Sequence, residues 1–274
     1  MRLRFKIARC SLVLAALLYL GVPLETATGF PLDPTRSYLS ELAASDQPNS
    51  SLFRIADAVA GGLVVLGCLV MAHRGVQRDR LRAATLLTLG VFGLGTIADV
   101  VVPMACAPSA SERCAAADVA GTLGSVHALH TVASVIALTA AATTAVLLSL
   151  TAVKTPQGPG PLQDSSGSRR RVVCMYAVTG LVIASSVLVT AMSMSHAATG
   201  TLPFGGGIAQ RAQTLGISVM LCGVPFWLDR RSSRPTTEFS SENTVVSIGV
   251  LATAAVGVIG ALGAIFALVL WFSS

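Results

Sequence analysis

Residues 126–153 read VHALHTVASVIALTAAATTAVLLSLTAV and contain no Asp, Glu, Lys or Arg. Because a helix needs about 20 apolar residues to cross the hydrocarbon core of a bilayer, this stretch predicts a transmembrane helix. Six further apolar runs flank it, at residues 10–24, 55–73, 83–103, 172–195, 210–228 and 245–272. The sequence therefore predicts an all-α, polytopic transmembrane helix bundle of seven spans, which forms a single membrane domain over residues 1–274.

The composition supports a chain that faces lipid. Of the 274 residues, 53% are hydrophobic and 12% are charged, and the mean hydropathy is +0.72. Soluble domains carry about 25% charged residues. The net charge of +6 lies in short basic clusters beside the apolar runs, so we expect contacts with anionic membrane lipids and no nucleic acid as a partner.

The basic residues predict how the chain is oriented. Loops rich in Lys and Arg stay in the cytoplasm. Fifteen of the 19 basic residues fall into four segments that alternate along the chain, at residues 2–9, 74–82, 154–171 and 230–234. This pattern predicts a multi-pass protein of the cell membrane with a cytoplasmic N-terminus and an extracytoplasmic C-terminus. Residues 25–54 then form the longest outer loop.

The first apolar run has two interpretations. Basic residues precede residues 10–24, and Ala27 follows near a signal-peptidase type of cleavage site, so the run fits a cleaved signal peptide as well as a retained span. Since six more spans follow, we favour the retained span. Cleavage would leave the orientation of the other six unchanged.

Two later segments of the chain carry further structural predictions. Residues 154–171 read KTPQGPGPLQDSSGSRRR and predict a flexible cytoplasmic linker, because they are rich in Pro, Gly and Ser. The last span carries Gly249, Thr253, Gly257 and Ala261 at intervals of four residues. Such a ladder lets another helix approach closely, either within the bundle or in a homo-oligomer.

The cysteines divide into two groups. Cys106 and Cys114 lie in the loop between the third and fourth spans, on the predicted oxidising side. We therefore predict a disulfide between them, with two free thiols as the alternative. The other four lie in apolar runs and are interpreted as small apolar residues; they are Cys10, Cys68, Cys174 and Cys222.

A set of motifs around the outer loops carries a family resemblance. The set consists of the YLSEL stretch at Tyr38–Leu42, Asp46-Gln47-Pro48, Leu52-Phe53-Arg54, Asp57, Gly61-Gly62, Asp99, Pro103, Cys106, His127, His130 and Gln210-Arg211. Over about residues 10–230 it resembles the actinobacterial members of the family called domain of unknown function 998. The resemblance implies a membrane bundle with a six-span core and implies no activity. Residues 245–272 would be an additional span.

The predicted topology brings ionisable side chains of five consecutive helices and one loop to the outer face. They are Glu41, Asp57, Asp99, His127, His130, His196 and Arg211. His127 and His130 share one helical face. We interpret Glu41, Asp99, His127 and His130 as a candidate acid–base set. Asp57, His196 and Arg211 are candidates for ligand binding. Asp99, His127 and His130 are also candidate metal ligands, although the sequence specifies no cofactor.

Structural roles compete with these functional ones. Asp57 is placed to favour the positive N-terminus of its helix. Glu41, with Ser37 and Ser40, fits the cap of a short interfacial helix. Arg211 could pair with Asp57 or Asp99 and so close the bundle.

Three hypotheses for function remain open. The first is a protein that binds, and as an enzyme would process, a lipid-like or isoprenoid-like small molecule at the outer face. The second is a non-enzymatic transport, resistance or structural protein, for which Ser185, Ser186 and Thr190 would line a pathway. The third is a haem or metal redox protein, with His127 or His130 facing His196 as axial ligands. Whether the protein is an enzyme stays open.

Overall fold

The computed structural model describes residues 2–72, 80–153 and 165–229. These residues form helices and loops without any strand. The helices are α1 (Arg2–Tyr19), α2 (Val22–Ala27), α3 (Ser50–Ala72), α4 (Arg80–Val101), α5 (Glu112–Val119), α6 (Ser125–Val153), α7 (Ser165–Thr199) and α8 (Gly206–Asp229), with 3₁₀ turns at Leu39–Ala43 and Pro108–Ala110. The prediction of an all-α chain is confirmed.

The six long helices form a closed ring. Each of α1, α3, α4, α6, α7 and α8 packs against the next in this order, and α8 packs against α1. Two contacts show that α1 and α8 are antiparallel. The Thr214 hydroxyl donates to the Leu20 carbonyl oxygen at one end, and at the other end the Arg9 guanidinium lies 4.3 Å from the centre of the Phe226 ring.

Four of these helices are long and apolar enough to cross a membrane: α3, α4, the Ser125–Thr151 part of α6 and the Val172–Thr199 part of α7. They coincide with the second to fifth predicted spans. Large apolar side chains point away from the bundle, for example Leu87 and Val101, which are 69% and 71% exposed. An apolar exterior of this kind fits a lipid environment. The chain is thus a membrane-type helical protein.

The first predicted span is interrupted in the structure. The apolar run 10–24 was expected to form one helix, but α1 ends at Tyr19 and the short helix α2 starts at Val22. Gly21, with φ of 69°, makes the break, and Pro23 lies within the first turn of α2. A residue with positive φ cannot continue a right-handed helix. The run therefore passes from α1 through a turn into the short helix α2.

Small residues set the closest approach in the bundle. A Cβ atom at Gly61 on α3 would lie 2.6 Å from the carbonyl oxygen of Gly93 on α4, and the reverse substitution would bring a Cβ within 2.9 Å of the Gly61 oxygen. The two backbones therefore touch, which only glycine permits.

Between α4 and α6, Thr144 donates to Thr88 over 2.8 Å and so satisfies a buried hydroxyl.

Two predicted segments lie wholly or partly outside the described residues. The seventh span, residues 245–272, and its ladder of small residues lie outside them, so the count of seven spans stays a prediction. Within the predicted linker 154–171, residues 154–164 lie outside as well, whereas the remaining residues form the start of α7.

All the described loops lie at one end of the ring. Residues 20–49, 102–124 and 200–205 connect successive long helices there, and we call them the loop layer. Backbone hydrogen bonds join its parts, because Ser45 N–H donates to the Met104 oxygen over 2.9 Å and Gly205 N–H donates to the Thr35 oxygen over 2.9 Å. The loop layer is the side that the charge pattern predicts to be outer.

Candidate functional site

The loop layer contains the predicted disulfide. Cys106 and Cys114 are bonded, with their Cα atoms 6.1 Å apart. The bond joins Cys106, two residues before the 3₁₀ turn Pro108–Ala110, to α5, whose N-cap Ser111 side chain accepts a hydrogen bond from Cys114 N–H. This bridge fixes the segment that carries Asp118 toward the site. The disulfide prediction is confirmed.

Glu41 holds two parts of the loop layer together. Its Oε1 accepts the Tyr38 N–H over 2.9 Å, and its Oε2 accepts the Ser109 N–H over 2.8 Å as well as the Ser109 hydroxyl. The side chain is fully buried. Burial raises the pKa of the Glu41 carboxyl, although these hydrogen bonds act in the opposite direction. The contact with Tyr38 caps the 3₁₀ turn, which agrees with the structural interpretation of Glu41, whereas the Ser37 hydroxyl donates to the Asp33 carbonyl oxygen instead.

Arg211 ties α8 to the loop layer. Its Nε donates to Glu25 Oε2 over 2.9 Å and its Nη2 donates to Glu25 Oε1. Its Nη1 donates to the carbonyl oxygens of Pro34, Ser37 and Gly207, each over 2.9 Å. The observed partner is therefore Glu25, and the alternative pairing with Asp57 or Asp99 is wrong. All three nitrogens of the guanidinium are occupied, so a ligand role of Arg211 stays an unsupported prediction.

A cavity of about 440 Å³ opens beneath the loop layer, mainly between α6 and α7. Its polar end contains ionisable or hydrogen-bonding side chains from five parts of the chain, namely Tyr38, Glu41, Asp118, His127, His130, His196 and Gln210. Its deeper part is apolar, with Val135, Leu138 and Val189. Several of its residues lie on the exposed surface of the two helices, among them Thr131 and Ser193. A cavity with a polar end and an apolar floor suits an amphipathic molecule.

Asp118 lies between two of the predicted histidines. Its Oδ1 is 3.0 Å from His127 Nε2, and its Oδ2 is 3.4 Å from His196 Nε2. The Ala105 N–H donates to His127 Nδ1 over 3.3 Å, so that ring carries its proton on Nε2 and donates it to Asp118. His196 is buried, and within the described residues neither of its ring nitrogens makes a hydrogen bond.

His130 faces the cavity next to Asp99. Its Nδ1 is 3.1 Å from the Val102 carbonyl oxygen and 3.5 Å from Asp99 Oδ1. Asp99 in turn accepts the Ser134 hydroxyl over 3.0 Å. Both neighbours of Nδ1 are acceptors, so this nitrogen carries the proton. Asp99 does not line the cavity itself and reaches it through His130 and Ser134.

The predicted set is therefore split in two. His127 and His196 share Asp118, whereas His130 pairs with Asp99. Asp57 lies on α3 outside the cavity, within electrostatic range of Asp99. Among residues 2–72, 80–153 and 165–229, no group of three His, Cys, Asp or Glu side chains has metal-binding geometry. The grouping of Asp99, His127 and His130 as metal ligands gains no support from this arrangement.

The hydroxyls proposed for a transport pathway bond mostly to the protein. Ser185 donates to the Leu181 oxygen, Ser186 to the Val182 oxygen and Thr190 to the Ser186 oxygen. Gln213 on α8 donates to Ser186 over 2.8 Å. Of the three, only Thr190 lines the cavity.

Several residues of the site were not predicted from the sequence. Asp118 is the most important, and its signal was available because it lies nine positions before His127, in the loop that leads into the predicted fourth span. Glu25 directly follows the apolar run 10–24, and nothing in its neighbourhood in the sequence indicated an ion pair. Gln210 is one of the motif residues that carry the family resemblance, but the sequence predicted no role for it. Its Oε1 accepts the Leu39 N–H, which holds the YLSEL stretch against α8.

The fold and the site together define a helical membrane protein with an ordered loop layer over a polar-ended cavity. Residues 12–226 match the family described as "Protein of unknown function (DUF998)", and the chain belongs to that family. The matched region runs from α1 to α8 and includes the loop layer. Neither a curated protein nor a solved structure gives a significant match to the chain.

Proposed function

We propose that this protein binds a lipid-like or isoprenoid-like small molecule in the cavity between α6 and α7, at the outer face of the cell membrane. The observation that carries the proposal is the cavity of about 440 Å³ with histidines and carboxylates at one end and aliphatic side chains below. Pockets for small ligands usually measure about 300–1,000 Å³ and combine apolar walls with a few polar groups. The proposal keeps the predicted orientation, in which the N-terminus is cytoplasmic.

The orientation of the cavity supports an amphiphile from the membrane. Thr131 on α6 and Thr190 on α7 both line the cavity and both lie on the exposed surface of helices that can span a membrane. A molecule in the bilayer could therefore enter sideways between the two helices, with its head group toward the loop layer. Chemical conversion of this molecule by Glu41, Asp99, His127 or His130 stays a prediction.

Filling the cavity tests the proposal. The full chain is extracted from its membrane, and its native mass is compared with its denatured mass. We expect a discrete excess mass in the unaltered protein and its loss in Ala197→Trp, because Ala197 lines the cavity. The matched control is Ala198→Trp, since the neighbouring Ala198 is exposed on the same helix outside the cavity.

Two results would contradict the proposal. One is the absence of any excess mass in the unaltered protein. The other is an excess mass that survives Ala197→Trp as fully as it survives Ala198→Trp.

An absorption spectrum of the same preparation tests the haem hypothesis, for which His127 is poorly placed because its Nε2 already donates to Asp118.

A further inference from the structure

The polar end of the cavity presents hydrogen-bond acceptors. His130 donates through Nδ1 to the Val102 oxygen, so its Nε2 carries a lone pair. No residue in the described part of the chain hydrogen-bonds to this Nε2. The side chain is nine-tenths buried and borders the cavity with its remaining surface. A ligand group that contacts this atom must therefore donate a hydrogen.

Three hydroxyl groups along the cavity also offer hydrogen-bond acceptors. Thr131 donates to the His127 oxygen over 3.4 Å, Ser134 donates to Asp99 over 3.0 Å and Thr190 donates to the Ser186 oxygen over 2.9 Å. Because each hydrogen points into the protein, the oxygen lone pairs remain for a ligand. Acceptors are thus spread over both α6 and α7.

The charges of the cavity exclude an anionic head group. Glu41 and Asp118 line it, and within the part of the chain that the structure describes no Lys or Arg does so. Arg211 lies close in sequence to Gln210, but its three nitrogens are bonded to Glu25 and to carbonyl oxygens. A phosphate or carboxylate would lose its hydration here and face Glu41 and Asp118 without gaining a cation.

The same contacts disfavour an ammonium group. Glu41 already accepts three hydrogen bonds from Tyr38 and Ser109, and Asp118 accepts one from His127. Asp118 Oδ2, 3.4 Å from His196 Nε2, is the carboxylate oxygen left to pair with a buried cation, so an ammonium group would meet a single such partner. Several separate hydroxyl donors fit acceptors on two helices better than a single charged nitrogen does.

We infer that the ligand is an uncharged amphiphile whose head group carries several hydroxyls, of the glycerol or sugar type, and that it donates hydrogen bonds to His130 Nε2 and to the α6 and α7 hydroxyls. This inference rests on the proposed function and narrows it to one chemical class. It assigns a contact role to His130 and to Thr131.

Three probes with the same acyl or alkyl chain length test the inference: monooleoylglycerol, oleoyl lysophosphatidate and oleylamine. Binding to the full chain is measured in phosphatidylcholine nanodiscs, which avoids sugar-headed detergents. We expect monooleoylglycerol to bind at least about tenfold more tightly than either of the others. Loss of one hydrogen bond costs roughly a three- to tenfold change in affinity, so we expect His130→Ala and Thr131→Ala each to weaken monooleoylglycerol binding by about that factor.

Thr143→Ala is the matched control, because Thr143 is an exposed threonine of α6 that bonds only to its own helix and lies outside the cavity. Equal or tighter binding of lysophosphatidate or oleylamine overturns the head-group class and leaves the proposed function intact. Unchanged binding in Thr131→Ala, whose hydroxyl has only a backbone partner, overturns the contact role even where His130→Ala lowers the yield. By contrast, failure of the proposed function shows as the absence of excess mass in the native protein.

Discussion

Arg211 and Glu25 form the most completely satisfied ion pair of the described structure. Glu25 is fully buried, and both of its carboxylate oxygens accept from the guanidinium. The pair has no access to the cavity. Its position between α8 and the loop layer indicates that it fixes the loops, which is consistent with the presence of Arg211 in the resemblance.

Removal of one partner leaves the other charge buried. We expect Arg211→Ala to lower the free energy of unfolding by about 3–5 kcal/mol, since Glu25 would lose its counter-charge. Arg211→Lys should recover only part of this loss because a lysine cannot make the two parallel bonds. Denaturant unfolding in mixed micelles measures the change. Arg36→Ala is the control, as Arg36 is exposed in the same loop layer.

Glu41 makes the free energy of unfolding depend on pH, and the direction of its pKa shift gives the sign. Burial raises the pKa of its carboxyl above the ordinary value of 4.5, so between these two pKa values the folded state binds more protons than the unfolded state. Folding is therefore favoured at low pH, and this contribution falls as the pH rises from about 4.5 through the raised pKa. Glu41→Gln cannot titrate, so we expect a flatter stability profile there.

The same variant should also be less stable overall. The Gln amide group would turn its N–H donors toward the N–H of Tyr38 or of Ser109, which leaves a buried donor unpaired and costs about 1–3 kcal/mol. Thermal unfolding at a series of pH values measures both effects. An unchanged pH slope in Glu41→Gln would show that another group is responsible for the dependence.

At the scale of helices, the contact between α3 and α4 depends on glycine. We expect Gly61→Ala to destabilise the bundle, because the new Cβ atom would lie 2.6 Å from the Gly93 carbonyl oxygen. Gly62→Ala is a control with the same chemistry, since nothing lies within 4 Å of its Cβ position. In that variant the helix propensity of alanine should act alone and stabilise by roughly 0.5–1 kcal/mol. Equal melting temperatures for the two variants would argue against the close packing.

At the scale of the whole molecule, the loop layer gathers the described loops at one end of the ring. The charge pattern predicts this side to be outer. In a background without the four free cysteines, we expect Asn49→Cys to react with a membrane-impermeant maleimide in intact cells. Gln157→Cys, in the predicted cytoplasmic linker, should react only after permeabilisation. The opposite labelling pattern would invert the topology and move the cavity to the cytoplasmic face.

The helical class, the approximate positions of α3, α4, α6 and α7 and the disulfide could be predicted from the amino-acid sequence alone. These features follow from local properties, since a run of apolar residues in a bilayer must satisfy its own backbone hydrogen bonds. Two cysteines eight positions apart in one loop need only a tight connection. The break at Gly21 was missed because apolar character continues through it while the backbone conformation changes.

Which ionisable groups meet depends on how the helices and loops pack together. The spacing of His127 and His130 suggested a common site, yet one pairs with Asp118 and the other with Asp99. Arg211 finds its partner 186 positions away in Glu25. Long-range pairings of this kind depend on the order in which helices close the ring and on how the loops fold over it. The order of apolar and charged residues along the sequence predicts at which end of a helix a charge lies. The packing of the helices in the ring determines which residue that charge contacts.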